Sequence, residues 1–431
     1  MSGPHPDVDC AIQARRHLQI QFENEGGDIV SSAERFVRHH RQLTDRAISQ
    51  AYAGLALHRL ASATFGELLQ CARRRASRLL DAPIVNGHHP GVDALVNLSR
   101  FRGAHVRRVA DWPGTAASWR HAVASLAQHL VCPYKVPPFL AASWYAIDDE
   151  YAERKREWFI AHAQGASFRS LDIPVVMTRK MEHIFLESHD HLAIEHAMRR
   201  AELLALGAPL ATVRAVLATR LASDLSNGGF WRTVWMFLVA HAREIEPTQI
   251  APMIDFIQAI RHQRVVVETR DGLVTRDPSL PSFSIKGRTA QSILRLMEDW
   301  HRNLGLTAGG LTWDPSPLRP LLMEDSSQDP SEPPRVWQLI ELTNGAQLRT
   351  EGSALHHCVA SYADRCWRGA SRIWSLRARR GEKVRRVLTI EVDLRRRMVV
   401  QARGWGNRAP SGKALRLLQE WAARERLRLA V

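Results

Sequence analysis

Residues 351–362, Glu351-Gly352-Ser353-Ala354-Leu355-His356-His357-Cys358-Val359-Ala360-Ser361-Tyr362, crowd one carboxylate, two imidazoles, one thiol and one phenol into about three helical turns. Such groups supply general acids and bases (His357, Tyr362) and a nucleophile (Cys358). Glu351 and His356 can add binding contacts. A second polar set follows in Thr389-Ile390-Glu391, Gln401-Ala402-Arg403-Gly404 and Asn407. It contributes another acid–base carboxylate in Glu391. It also brings ligand-binding groups in Thr389, Gln401, Asn407 and above all Arg403, whose planar guanidinium suits an anionic oxygen. Neighbouring His356, His357 and Cys358 cannot all face one tetrahedral ion from a single helix, and no other ligand pair has metal spacing, so no metal and no cofactor is expected. Two bland readings stay open beside the chemical one. A thiol on a helix face is commonly core, and a Glu391–Arg403 pair on a solvated sheet face is worth little.

The elements that must position these residues follow from periodicity. Residues 348–350 are expected as a short extended piece. A helix then starts near Ser353 as N-cap, with Leu355, Cys358, Val359, Tyr362 and Cys366 on one face and His357 to the side. Residues 387–393 and 399–403 alternate apolar and polar, which predicts a β-hairpin closed by an Arg-rich turn at 394–398. One register suits both strands: Glu391 opposite Gln401, Thr389 opposite Arg403, Ile390 opposite Ala402. It gathers Leu388, Ile390, Val392, Val400 and Ala402 on one face, and Thr389, Glu391, Gln401 and Arg403 on the other. A last helix is expected over 412–429 with Leu415, Leu418, Trp421 and Ala422 inward.

Upstream the chain reads as helical. Candidate helices lie near 31–60, 63–82 and 115–130, with the 86–91 stretch, including His88 and His89, as a breaking loop. More follow at 151–164, 180–187, 193–206, 209–223, 230–243, 253–262 and 289–304. In the last of these, Ile293, Leu296 and Trp300 share a face. Residues 314–335 hold six prolines among Ser and Asp and read as a linker. The expected fold is a mainly α N-terminal and central helical body with a small α+β C-terminal domain containing a β-hairpin or small antiparallel sheet. The expected division is a helical extension at 1–150, a helical body at 151–313, the linker at 314–335 and a basic domain at 336–431.

Composition bounds the function class. The 431-residue chain has a 45% apolar fraction, ordinary for a protein with a packed core. Five scattered cysteines without CxxC pairs argue against a disulfide framework and for a reducing compartment. No secretory leader and no membrane span are read, so the cytoplasm is the default and no membrane partner is expected. Of the formal net charge of +15, the 83 residues from Arg349 onward carry +13, with 20 Lys/Arg against 7 Asp/Glu. That excess predicts a polyanionic partner, nucleic acid among them. Arg377, Arg379, Arg380, Lys383, Arg385 and Arg386 are expected around a loop, and Arg395, Arg396 and Arg397 in a turn.

The pattern E-G-x3-H-x-C-V-x2-Y over 351–362 resembles the PcfJ-like family. So do Ile373-x-Ser375-Leu376-Arg377, Thr389-Ile390-Glu391 and Gln401-x-Arg403-Gly404 with Asn407. Looser similarity reaches upstream through Gly165-x-Ser167-x-Arg169-x-Leu171 and Ser284-x-Lys286-Gly287-Arg288-Thr289, covering about 155–431. The resemblance implies a bacterial mobile-element or DNA-transfer setting such as conjugation, a protein complex of that element as partner, and a site at His357, Cys358, Tyr362, Glu391, Gln401 and Arg403. It implies no reaction. Three functions follow as expectations: contact with nucleic acid or a DNA-processing complex; an enzyme acting on a nucleotide or phosphodiester through a His/Tyr/Glu/Arg pocket; a structural interaction protein.

Overall fold

A computed structural model describes residues 29–84, 88–115, 117–146, 151–190, 192–269, 272–307, 311–325, 333–355, 359–405 and 408–429. The chain divides into two compact units, Met1–Ala205 and Leu206–Val431. The first is helical, with long segments Ile29–Leu55, Arg59–Arg75, Pro90–Arg100, Trp119–Val131, Ala152–Ala163 and Ile194–Ala205. The Pro90–Arg100 helix takes Pro90 and Gly91 from the stretch expected as a loop and runs where no helix was expected. His89 starts it: its Nδ1 accepts from the Val92 amide at 3.3 Å, and its Nε2 lies 3.0 Å from the Leu80 carbonyl. With 1% exposure, this imidazole is a buried cap.

The second unit begins with helices Leu210–Leu217, Gly228–Ala240, Pro247–Arg261 and Ala290–Thr307, and a two-stranded ribbon of β1 (Val265–Thr269) and β2 (Gly272–Arg276). Apolar spacing explains the burial here. Trp231 and Trp235 stack at 5.5 Å, one turn apart, with Trp231 1% exposed and Trp235 fully buried. In Ala290–Thr307 the inward pair is Ile293 with Met297, while Leu296, expected on the same face as Ile293, is 37% exposed. The i, i+4 pair is the one the helix turns toward the core.

The rest of this unit is a six-stranded sheet with two covered faces. Its strands are β3 (Leu321–Asp325), β4 (Arg335–Leu342), β5 (Arg372–Arg380), β6 (Lys383–Asp393), β7 (Met398–Arg403) and β8 (Arg428–Leu429), side by side in that order. All neighbours are antiparallel except β7 with β8. The Pro-rich stretch expected as a linker therefore supplies an edge strand, β3. On one face Trp374, Leu376, Leu388, Ile390, Val392, Val399 and Ala402 pack under the helix Gly412–Arg424, whose Leu417, Leu418 and Trp421 point in. That helix stops short of the expected 429: Arg426 takes φ of +56°, and the chain turns into β8. On the opposite face Ile373 joins Leu342, Leu348, Val359, Ala363 and Cys366 beneath the helix Gly345–Leu355, the 3-10 turn Val359–Tyr362 and the helix Ala363–Trp367.

Three expectations are corrected in and around this sheet. Residues 348–350 are helical and Ser353 lies inside Gly345–Leu355, because Asn344 starts the helix earlier by accepting from the Gln347 amide at 2.9 Å. The arginines from Arg377 to Arg386 lie on paired strands rather than around a loop, and the turn is only Gly381, at φ of +57°, with Glu382. The β6–β7 register is the expected one at Glu391–Gln401, Ile390–Ala402 and Thr389–Arg403, but a bulge makes Val392 pair with Val399. The extra residue is Val400, so Val399 takes the core position expected for Val400.

Candidate functional site

Two charged clusters sit on the sheet face that carries Ser375, Thr389, Glu391 and Arg403. The first is centred on Glu351, which the Gly345–Leu355 helix lowers onto the sheet with no exposed surface. Its carboxylate accepts from Arg386 Nε at 2.9 Å and Thr389 Oγ1 at 3.1 Å, and it is also hydrogen-bonded by Ser375. Arg377 stands 3.7 Å away and donates to Ser375 Oγ at 3.0 Å. Burial pushes the Glu351 carboxyl above the ordinary carboxylate range, and the hydroxyls and guanidiniums offset this only in part. Every acceptor of Glu351 is directed at protein, so this cluster is a structural knot between helix and sheet.

The second cluster is different in kind. Glu391 is 6% exposed; it accepts from Ser371 Oγ at 2.9 Å and pairs with Arg365 at 3.1 Å. The Arg365 guanidinium also lies 5.1 Å from the centre of the Tyr362 ring. Asp255, from the helix Pro247–Arg261, stands within electrostatic reach of Arg220, Glu391, Arg365, Arg403 and Tyr362. It keeps partial solvent access. Burial raises its carboxyl to about 6, against the pull of Arg220, with Glu391 pushing the same way as burial. Burial, reinforced by Asp255 and Glu391, raises the Tyr362 phenol well above its ordinary value, so it stays neutral and can donate. Arg403 extends from the end of β7 and donates to two backbone carbonyls, Ala402 at 3.1 Å and Ala218 at 2.6 Å. Arg220 Nε is buried without a hydrogen-bond acceptor. This cluster therefore sets three guanidiniums against two carboxylates and one phenol.

The sequence-predicted residues separate accordingly. Tyr362, Glu391 and Arg403 come together, with Gln401 opposite Glu391 in the strand pairing. Glu351, Thr389 and Arg377 belong to the knot. His356, His357, Cys358 and Asn407 lie outside the described residues. The sequence reading missed Asp255, Arg220 and Arg365. Asp255 had a signal: an acid inside the apolar run Met253-Ile254-Asp255-Phe256-Ile257 of a buried helix needs a partner. Arg220 and Arg365 had none among so many arginines. Of the other upstream motifs, Ser167, Phe168 and Arg169 all bond the Glu182 carboxylate at 2.6–2.9 Å, which pins a turn to a helix. Among the described residues, no group of three or more His, Cys, Asp or Glu could hold a metal ion, and no helix is long and apolar enough to cross a membrane.

No curated protein and no solved structure matches the chain. Residues 338–415 match the family model described as PcfJ-like protein, a span that runs from β4 into the last helix and takes in the Glu351 knot together with Tyr362, Arg365, Glu391 and Arg403. Over that span, and not over the rest of the chain, this protein is similar to the PcfJ-like family.

Proposed function

We propose that the chain is a PcfJ-like protein of a bacterial DNA-transfer setting that contacts nucleic acid through the tip of its β5–β6 hairpin. The observation that carries this reading is the composition of that tip. Arg379, Lys383 and Arg385 are exposed there, beside Arg380 and with Glu382 as the single acid. The turn Arg395-Arg396-Arg397 is less apt. Arg396 lies 3.9 Å from Asp393, and Arg397 donates to the Glu425 and Arg426 carbonyls. The two groups also sit at opposite ends of the 11-residue strand β6, roughly 35 Å apart at about 3.3 Å per residue. A short ligand touches one or the other. Trp405, 53% exposed and overlain by Arg408 at 5.3 Å, adds an aromatic face of the kind on which bases stack.

The test is binding of the full chain to single-stranded and duplex DNA and to RNA across a salt series, beside the triple variant Arg379→Ala/Lys383→Ala/Arg385→Ala. Binding with a steep salt slope is expected. Removing three phosphate contacts should flatten the slope of log K against log salt by about 2 on single strands, at about 0.7 per contact. A variant that binds as tightly and as salt-dependently as the parent, or a parent that does not bind at low salt, removes this reading.

A second reading is an enzyme acting on a phosphorylated substrate through the second cluster. It is favoured by the convergence of Asp255, Tyr362 and Glu391 with three arginines, because paired carboxylates in unlike surroundings are the usual basis of acid–base division of labour.

A further inference from the structure

We propose that Arg220, Asp255, Tyr362, Arg365, Glu391 and Arg403 form a binding site for a phosphate monoester group, separate from the hairpin tip and with two of its six residues, Arg220 and Asp255, outside the PcfJ-like span. Separation follows from the strand: Glu391 and Lys383 are eight positions apart on β6, roughly 26 Å at about 3.3 Å per residue.

Charge accounting inside the cluster identifies the ligand class. Glu391 is already satisfied by Arg365 and Ser371. Among the described residues Arg403 donates to neutral carbonyls alone, so its positive charge is oriented but not neutralised by these hydrogen bonds. Arg220 holds a buried Nε–H with no acceptor. A desolvated guanidinium fork that is held in place by carbonyls is a pre-organised receptor for oxyanions. The neutral Tyr362 phenol supplies a further donor, which among the described residues Asp255 and Glu391 meet only through space. Asp255 opposes an anion while ionised and accommodates one while protonated. Around it stand Arg220, Arg365 and Arg403 as cations, Glu391 as an anion and Tyr362 as a neutral phenol. His262, whose imidazole is held below its usual value by burial and by Arg261, and Asp224 lie beside Arg220.

A monoester fits this site better than a diester because of its second proton. The monoester's second ionisation falls at about pH 6, beside the raised value of Asp255, about 6. The complex then holds one proton between carboxyl and ligand. Affinity should peak near pH 6 and fall about 25-fold by pH 8, where Asp255 must capture a proton for the dianion to bind. A diester, with no proton in this range, would show only the alkaline loss and no acid-side decline.

Isothermal titration of the full chain with inorganic phosphate, adenosine monophosphate and adenosine tests the proposal. A short oligonucleotide with and without a terminal phosphate separates a free nucleotide from a nucleic-acid end as the source. Binding of the phosphorylated member of either pair, and not of the other, supports the site. Arg403→Gln and Arg220→Gln should each weaken it by about tenfold or more. Asp255→Asn should keep binding but flatten the alkaline fall. The hairpin-tip triple variant should bind phosphate like the parent, so failure of one proposal leaves the other readable. Should a variant fold poorly by thermal melting, the parent's own pH profile decides. Absence of binding by all phosphorylated probes at millimolar concentration overturns the proposal. So do equal affinities for adenosine and its monophosphate, or a pH profile with no maximum.

Discussion

Replacing Glu351 by alanine should loosen the sheet far more than removing any exposed arginine. The carboxylate has no exposed surface, and its removal strands Arg386, Thr389, Ser375 and Arg377. Breaking one partner out of a buried ion pair costs about 3–5 kcal/mol. The side chains of Arg386 and Arg377 are 24% and 19% exposed, so water recovers part of the loss and about 3 kcal/mol is the better figure. Hydrogen exchange read by mass spectrometry on peptides of β5 and β6 isolates this region from the first unit. Where exchange follows local opening, about 3 kcal/mol corresponds to roughly 150-fold faster exchange. Glu351→Gln, which keeps the shape and one acceptor, should lose about half as much. The pH dependence has a definite sign. Burial raises the Glu351 carboxyl, so the native state favours its protonated form. Its contribution to stability is complete below the ordinary carboxylate pKa of about 4.3 and declines as pH rises through the raised value. The glutamine variant has no proton to lose, so the gap between parent and variant should narrow from about pH 4 to pH 7. Exchange in Glu351→Ala within about threefold of the parent would refute the reasoning, since the arginines would then have found water at no cost.

The bulge makes a second prediction: Val399→Asp should unfold the sheet region, because it buries an unpaired carboxylate among Val392, Leu418 and Trp421, whereas Val400→Asp should be tolerated with a melting shift of a few degrees at most. Alkylation of native protein at about pH 8 should reach partly exposed Cys71 well before Cys132 and Cys366. Burial pushes both of those buried thiols up to about 12, leaving almost no thiolate, so equal labelling of all three would contradict the packing described here.

What the sequence discloses depends on which force fixes each feature. The β6–β7 pairing was legible because a one-residue slip would have exchanged the faces of Ile390 and Glu391. The bulge was not, since Val399 and Val400 are identical in type and alternation cannot say which is extra. The convergence of Tyr362, Glu391 and Arg403 could be expected from their place around one hairpin. Asp255 and Arg220 could not be joined to them, because nothing in a helical repeat states which distant strand it will meet. Glu351 was read as a ligand contact, but whether a carboxylate is buried against arginines or open to solvent depends on tertiary packing, and here it is the former. The start of the Gly345–Leu355 helix was missed because Asn344 and Ser353 are both good caps, and the earlier one won.

The bond from Arg403 to the Ala218 carbonyl spans 185 positions of chain. Closing a loop of that length costs roughly 4–5 kcal/mol of entropy, and the return comes only once the helices after Leu206 have docked on a finished sheet. Local helices and β-hairpins form in microseconds, whereas contacts of such range form late. During refolding, the helical circular dichroism signal should therefore appear before this bond closes. A probe placed at Arg403 would therefore report completion of this unit rather than its content of helix.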